Sequence, residues 1–434
     1  MSQRLNSRPR VAITGVGVIS PIGVGREPFW TNLAAGQTGI GPVEHQYHGS
    51  NALSPGFVGG EISDFDEKVA RNIIPKNQRK NIKVMCRDIQ MGTASAMMAL
   101  EDSALDLDAV DHDRIGIDFG ANLMFSPPTQ LNDPCWNCLD EKGDFSFSKW
   151  GKQGLPTMEP LWLLKYLPNM PACHIAIFLD ARGPSNSVTQ DEASGHLAMT
   201  EALGVIRRGA ADVMVAGATG ARLHEFKVVH AAIWKELGYR PSDPNASSRP
   251  FDAERNGEVV GEGSCSFLLE TEEHAKSRGA KILGYLAGGG SSCVQDNHQL
   301  AVANAMRAAL RSAGLTPDDV GHINAHGLGA VQADLDEARA IHEVFGDRGA
   351  KIPVTALKGA IGNSAAASGN IELAGSLIGL QQGLIPPTIN CDNPDPACNL
   401  NLVRDEPQPT DHRSVLSVSF TRLGQASAVV VQCD

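Results

Sequence analysis

The sequence predicts an α/β protein built from two similar halves. Its 434 residues are 42% apolar and 20% charged, which is enough chain to bury two packed domains or one large duplicated core. Runs typical of strands and helices alternate through residues 10–270, and the alternation starts again after Lys281. Residues 183–220 add a polar turn, a helix that is apolar on most of its surface, and a short apolar strand.

The first half contains predicted strands at its beginning, middle and end. Strands are expected at Arg10–Ile22, at Arg114–Gly120 and at the end of Arg249–Glu270, and helices at Phe29–Gly36 and Ile89–Leu100. Residues 125–154 carry proline, aspartate and tryptophan without clear periodicity. They predict a loop insertion that could serve as a lid or an interface arm.

The polar turn and the helix after it form an elbow, over residues 183–208. Apolar residues cover most of the predicted helix Ala193–Arg208, which indicates a buried helix, and Gly209 stands where a C-terminal glycine cap belongs. The strand Val213–Ala216 follows. Two carboxylates, Asp191 and Glu192, therefore lie at the N-terminus of a buried helix.

The second half repeats this order. Strands are predicted at Ile282–Leu286, Val320–Ala325, Val415–Phe420 and Ala428–Gln432, and helices at Ala301–Ala313 and Ala333–Phe345. The predicted division is an N-terminal half at 1–275 and a C-terminal half at 276–434.

Composition limits the function classes. The 49 acidic and 37 basic residues give a formal charge of −12, which argues against a general nucleic-acid binder and favours small molecules or proteins as partners. The run after Arg10 is too short and too rich in glycine to span a bilayer. The nine cysteines lack the spacing of a disulfide scaffold, so a reducing cytoplasm is expected. Cys135 and Cys138 form a single CxxC, interpreted as loop cysteines in preference to a metal or redox site.

A basic cluster interrupts this acidic chain, at Lys76, Arg79, Lys80, Lys83 and Arg87. Two interpretations stay open at this point: a solvated helix face and a docking surface for an acidic partner.

The elbow resembles that of the β-ketoacyl-acyl carrier protein synthases, in which Gly-Pro is followed by Thr-Ala-Cys at the start of a buried helix. Counted from Gly183-Pro184, the position of the nucleophilic cysteine is Glu192. The resemblance implies a thiolase-like fold, with two related halves, a mixed five-stranded sheet in each, and a layered α-β-α-β-α arrangement. A carboxylate cannot form the thioester on which condensation depends.

Other motifs carry the same resemblance along the chain. Residues 324–329, Asn-Ala-His-Gly-Leu-Gly, are similar to the family's His-Gly-Thr-Gly-Thr motif, which implies that His326 is an active-site histidine. Residues 358–363 resemble Lys-Ser-x-x-Gly-His, with Asn363 at the second histidine. A side-chain amide can also donate to a developing enolate oxygen. Lys358 and Glu372 match a family pair and are expected to form a buried ion pair.

The motif at residues 419–425 occupies the place of the family's glycine-rich Phe-Gly-Phe-Gly-Gly loop. Phe420 and Gly424 remain, while Thr421 and Leu423 should stiffen the loop. Arg422 would bring a cation towards Glu192 if both side chains point into the cavity. Glu192 is also expected to find partners in His326 and in backbone N–H groups at the helix start.

The resemblance implies a non-condensing member of the family that acts with acyl or malonyl groups on acyl carrier protein. Malonyl decarboxylation through Glu192, His326 and Asn363 is one expectation, and a catalytically silent subunit resembling a chain-length factor is the alternative. Three roles of Glu192 are left open: a stabiliser, a general base or a nucleophile.

The same resemblance implies the partners. The basic cluster would receive the carrier protein, and the chain would pair with itself or with a cysteine-bearing paralogue. Neither a cofactor nor a metal is expected.

Overall fold

The computed structural model describes residues 9–43, 57–234 and 236–434, and within them the chain forms short and long strands in the predicted alternation. The strands are β1 Val11–Ser20, β2 Gly23–Val24, β3 Ile40–Pro42, β4 Val58–Gly60, β5 Ile115–Ala121, β6 Ser185–Val188, β7 Val213–Ala221, β8 Glu262–Thr271, β9 Gly284–Cys293, β10 His322–Asn324, β11 Pro353–Thr355, β12 Leu384–Ile385, β13 Asn401–Leu402, β14 Gln408–Pro409, β15 Ser414–Phe420 and β16 Gln425–Gln432.

Helices occupy the stretches between these strands. They are α1 Arg26–Ala34, α2 Glu67–Ile73, α3 Arg87–Ser103, α4 Asn132–Trp136, α5 Met170–Leu179, α6 Ser194–Arg207, α7 Glu225–Trp234, α8 Glu272–Ser277, α9 His298–Ala313, α10 Val331–Phe345, α11 Lys358–Ile361 and α12 Ser368–Gln381. Short 3-10 turns precede α6, at Asp191–Ala193, and α12, at Ala365–Ala367.

The strand order shows that the two halves are related. The first half runs β6-β5-β7-β8-β1 and the second β11-β10-β15-β16-β9, so five strands of each half correspond, and the two-residue strand β13 extends the second half beyond β11. In both, the first two pairings are parallel and the last two antiparallel. The two units join through a two-residue pairing of β1 with β9, which makes one continuous twisted path instead of two separate sheets. The duplication that sequence identity could not reveal is therefore visible in the topology.

Two buried helices lie in the middle of the molecule. The α6 helix packs on β5 and β7 of the first half and on β9 and β16 of the second, and α12 packs on β8 and β15. Residues Ser368–Leu380 of α12 are all buried, as expected of a helix with apolar and small residues all round. The helices α3 and α9 cover the outer faces of the two sheets. The layers confirm the thiolase-like arrangement.

Two predictions about local structure were wrong. Ser185–Val188, interpreted as part of a turn, forms the edge strand β6. The polar sequence Ser-Asn-Ser-Val does not indicate a strand, and the strand forms because its backbone pairs with β5. Residues 125–154, interpreted as loop, contain α4 and several short helical turns. The other predicted strands and helices are present with ends shifted by up to seven residues, and the division near residue 275 stays a prediction.

In the described ranges, none of the helices combines the length and apolarity needed to cross a membrane.

Candidate functional site

The elbow is a strained turn that presents Glu192 at the start of α6. Asp191 adopts a φ of 41°, which is uncommon outside glycine, and Gln190 N donates to Ser194 Oγ at 2.8 Å. Ser419 Oγ on β15 donates to the carbonyl of Glu192 at 2.6 Å, which ties the elbow to the second half. The Glu192 side chain is only 3% exposed.

Glu192 opens onto a cavity of about 360 Å³. Residues from both halves line it: Glu192, Ile233, Trp234, Glu236, Glu258, His298, His326, Leu328, Ala330, Gln332, Ala333, Phe420 and Arg422. The fold therefore brings together residues from three distant parts of the sequence, namely Glu192, His326, and Phe420 with Arg422.

A row of buried polar side chains lies at one side of this cavity, and two of its members, Glu192 and Glu258, line the cavity. The Arg222 guanidinium donates to both carboxylate oxygens of Glu258, at 2.9 Å each. Asn363 Nδ2 then donates to Glu258 Oε2 at 2.6 Å and to Glu192 Oε1 at 3.2 Å. All four of these side chains are at least nine-tenths buried. We call them the Arg222–Glu192 row.

The row keeps Arg222 charged, and the neighbours of Asn363 set the orientation of its amide. Burial works to lower the pKa of Arg222, but Glu258, Glu192 and Asp191 more than offset this and raise it, so the guanidinium stays charged. Asn363 Oδ1 accepts hydrogen bonds from Ala365 N at 2.9 Å and from Ser368 Oγ at 3.1 Å. The orientation of its amide is thus set, with Nδ2 towards the two carboxylates.

A buried lysine, Lys358, donates hydrogen bonds to both the ring and the backbone of His326. Lys358 Nζ donates to Glu372 Oε1 at 2.7 Å, to the His326 carbonyl at 2.6 Å and to His326 Nδ1 at 3.1 Å. The predicted ion pair between Lys358 and Glu372 is thus present, and both side chains are buried. Because Nδ1 accepts from an ammonium group, the ring hydrogen of a neutral His326 lies on Nε2.

A buried acid, Glu337, accepts hydrogen bonds from the backbone at His326. Glu337 on α10 accepts from His326 N at 2.7 Å and from Gly327 N at 2.9 Å. Burial raises the pKa of Glu337 to about 8, although these two N–H groups oppose the rise. Gly327 has a φ of 46°, so the chain turns sharply where the histidine is presented.

Phe420 and Arg422 occupy different parts of the cavity wall. The Phe420 ring is buried, with its centroid 4.6 Å from that of His326. Arg422 lies exposed at the rim, and its carbonyl accepts from His298 Nε2 at 2.8 Å. Asn363 donates to the Glu192 carboxylate, a contact that the sequence did not predict.

The loop that carries Arg422 contains hydrogen bonds between its own residues, and its predicted stiffness stays a prediction. Thr421 Oγ1 accepts from Leu423 N at 3.2 Å and from Gln425 N at 3.3 Å. Gly424 has a φ of 86°, and a Cβ there would lie 2.1 Å from the carbonyl oxygen of Val294. Only glycine fits this position.

The basic cluster divides into outward and inward residues. Lys76, Lys80 and Lys83 are exposed and Arg79 is half-buried on the 3-10 turn Lys76–Val84. Arg87 does not belong with them, which corrects its assignment to a docking surface. Its guanidinium binds buried Glu262, at 2.6 and 2.7 Å, and the carbonyls of Phe65 and Ile62.

Among the described residues, no group of three or more His, Cys, Asp or Glu side chains has a geometry that could hold a metal ion. Cys138 is buried and Cys135 half-buried, and neither forms a disulfide.

Comparison with known proteins decides the family. The family model of the β-ketoacyl synthase N-terminal domain matches residues 8–275, and that of the β-ketoacyl synthase C-terminal domain matches residues 280–392. The chain belongs to the β-ketoacyl synthase family. A 3-oxoacyl-[acyl-carrier-protein] synthase 2 of Synechocystis sp. is 32% identical over 421 residues, which cover 95% of each chain.

Two solved structures of ketosynthases share the whole fold. One is a type II PKS acyl-carrier protein in complex with its ketosynthase bound to the hexaketide, and the other is the ishigamide ketosynthase/chain length factor. Each superposes with a TM-score of 0.82 and 26% identity, over 99% of this chain and 100% of the matched chain.

Sequence reasoning about this ketosynthase-family chain missed Arg222 and Glu258. Arg222 directly follows β7, and Glu258 lies in the passage Arg249–Glu270, for which the sequence predicted only the final strand. The available signal was a charged residue at the end of an apolar strand, a position where functional side chains gather in α/β proteins.

Proposed function

We propose that this chain is a non-condensing ketosynthase-family protein that works with acyl groups on acyl carrier protein, in fatty-acid or polyketide assembly. We further propose that it acts as a catalytically silent subunit, which shapes a cavity for a cysteine-bearing synthase in the manner of a chain-length factor. The solved ketosynthase bound to an acyl-carrier protein and the ketosynthase/chain length factor structure support the general class.

The observation that carries the silent role is the engagement of Asn363. A side-chain amide has two N–H groups, and those of Asn363 point at the carboxylates of Glu258 and Glu192. An enolate oxygen formed by decarboxylation would need such a donor, and it would develop its negative charge beside these two side chains. A malonyl carboxylate would meet the same like-charged wall.

One observation favours the alternative, malonyl decarboxylation. Lys358 holds His326 with its ring hydrogen on Nε2, and His326 lines the cavity, so it can donate to a thioester carbonyl that enters there.

Malonyl-loaded carrier protein distinguishes the two functions. We expect the unmodified chain to decarboxylate the malonyl group no faster than the background rate. Intact-protein mass spectrometry of the carrier protein measures this as the loss of carbon dioxide from its malonyl group. An active, cysteine-bearing ketosynthase should show higher or redirected output when the chain is added.

Decarboxylation of malonyl carrier protein by the chain alone would overturn the silent role. Three variants would then define the mechanism. His326→Ala and Glu192→Ala should each lose about a hundredfold in rate, the usual effect of removing one preorganised donor. Glu192→Gln should retain the rate if Glu192 is a polar stabiliser, and should fail as badly as Glu192→Ala if it is a base or nucleophile.

The exposed lysines and Arg79 give a prediction about docking. Replacing Arg79 and Lys83 together by glutamate should weaken binding of acyl carrier protein by about tenfold or more, because an acidic partner would then meet like charges. Titration by fluorescence anisotropy at low salt measures this, since salt screens exposed charges. The matched control is Arg311→Glu, an exposed charge reversal on α9. Unchanged binding would place the docking surface elsewhere.

A further inference from the structure

The CxxC pair in residues 125–154 takes no part in the cavity or in the proposed docking surface. Cys135 lies in α4, and Cys138 follows two residues after that helix ends. Cys138 N donates to the Cys135 carbonyl at 3.0 Å, and Leu139 N donates to the Trp136 carbonyl at 3.2 Å. Bonds between residues three apart form a 3-10 turn, in which side chains at these positions eclipse one another. The two thiols therefore lie on the same side of the turn.

The turn also sets the distance between the two cysteines. A 3-10 turn rises about 2.0 Å per residue, so its geometry places the Cα atoms of Cys135 and Cys138 about 6 Å apart. A disulfide needs Cα atoms that are about 4.4–6.8 Å apart, with side chains that point towards each other. The backbone is thus already in a conformation that a disulfide can span after rotation of the two side chains.

The two thiols differ in their access to solvent. Cys138 is 0% exposed, whereas Cys135 is half-buried. A small molecule in solution can therefore reach the Cys135 sulfur and is kept from the Cys138 sulfur. Redox-sensitive sites combine an accessible cysteine with a resolving cysteine beside it. The difference in burial gives the first role to Cys135 and the second to Cys138.

Cys138 is also a point on which the rest of this segment packs. Its carbonyl accepts from Ser146 N at 2.9 Å. A Cβ at Gly154 would lie 2.8 Å from Cys138 Sγ and 2.7 Å from the Trp150 ring, so the sulfur and the ring are close neighbours at this glycine. Rotation of the Cys138 sulfur towards Cys135 would therefore change the surroundings of Trp150.

We propose that Cys135 and Cys138 form a reversible disulfide in exchange with small disulfides such as oxidised glutathione, and that its formation alters the packing around Trp150. This inference goes beyond the proposed function and does not depend on it. The Cys135 thiolate attacks one sulfur of the oxidant, which forms a mixed disulfide and releases one glutathione thiolate. The Cys138 thiolate then attacks the Cys135 sulfur and releases the second glutathione thiolate. Two cysteine thiols are oxidised to one disulfide, one oxidant disulfide is reduced to two thiols, and the two cysteine protons pass to the released thiolates.

Oxidised glutathione and mass spectrometry of the full chain test the pair. The tryptic peptide 115–142 contains Cys135 and Cys138 and none of the other cysteines. After oxidation of the folded chain and blocking of free thiols, this peptide should be lighter than its reduced form by about 2 Da, the two hydrogens of the thiols. Dithiothreitol should reverse the change. The equilibrium constant for pairing should be larger by about tenfold or more in the folded chain than in urea, because the turn aligns the thiols.

Three cysteine variants test the two roles. Cys138→Ser should stop at a glutathione adduct on Cys135, because the resolving thiol is gone. Cys135→Ser should leave Cys138 unmodified, because Cys138 is buried. Cys173→Ser, the same change at a half-buried cysteine outside the pair, should leave pairing unchanged.

Tryptophan fluorescence tests the effect on packing. Oxidation of the pair should change the emission of the chain, and Trp150→Phe should remove this change. Trp162→Phe, the same change at a half-buried tryptophan, should keep it.

Two results would overturn the disulfide: a glutathione adduct that accumulates on Cys135 of the unmodified chain without pairing, and pairing that is no more favourable in the folded chain than in urea. A disulfide that forms without a change in the emission of Trp150 would overturn the altered packing.

Discussion

Replacing Lys358 with methionine is expected to lower the free energy of unfolding by about 3–5 kcal/mol, the usual effect of removing one partner of a buried ion pair. Glu372 would be left in a site where burial already raises its pKa to about 7 even with Lys358 present. His326 would also lose the donor that orients its ring. Urea unfolding followed by circular dichroism measures the loss.

The effect of Lys358→Met should depend on pH. A carboxyl whose folded pKa lies above its unfolded value of 4.5 contributes stability that falls as pH rises between the two values. Removing the lysine raises the folded pKa of Glu372 further, so the variant should lose most stability at neutral and alkaline pH and least near the unfolded pKa.

Two control variants show whether the loss of stability comes from breaking the buried ion pair or from removing a positive charge. Lys358→Met combined with Glu372→Leu should recover much of the stability, since an apolar pair of similar volume is often tolerated. Lys165→Met breaks a pair with the half-exposed Glu159 and should cost about 1 kcal/mol or less. A loss that small for Lys358→Met itself would contradict the prediction.

Incubation with acyl carrier protein that carries a labelled acyl group should leave this chain without a stable thioester. Glu192 occupies the position that the family resemblance gives to the nucleophile, and three of the described cysteines are poor nucleophiles. Burial raises the thiol pKa of Cys86, Cys391 and Cys398 to about 12, and a protonated thiol is a weak nucleophile. Hydroxylamine-sensitive label, measured by intact-protein mass spectrometry, is the readout.

The matched variant is Glu192→Cys. A thiol at a helix N-terminus has a lowered pKa, so this variant is expected to take up label at residue 192. A stoichiometric, hydroxylamine-sensitive adduct on any of the nine native cysteines of the unmodified chain would contradict the prediction.

Much of the fold could be predicted from the sequence because periodicity and local motifs carry it. The buried helix α6 was visible in its apolar surface and in Gly209, whose φ of 73° ends it. The β6 strand was not visible, since Ser185–Val188 becomes a strand only through its neighbour β5.

The candidate site divides in the same way. His326, Lys358 and Glu372 could be located because they lie in motifs. Glu192 and Asn363 of the Arg222–Glu192 row could be located in the same way, but Arg222, Glu258 and the contacts of the row could not, because these contacts join residues separated by up to 171 positions in the chain. No local pattern specifies such a contact.

The matched elbows of the two halves have a consequence for what the scaffold needs in order to fold. Ala365 has a φ of 53° where Asp191 has 41°, and Ala365–Ala367 precedes α12 as Asp191–Ala193 precedes α6. By this correspondence Glu192 matches Ala366, a fully buried methyl group. The duplicated architecture therefore folds one elbow around a chemically inert residue. A nucleophile is therefore not needed at an elbow of this kind for the scaffold to fold.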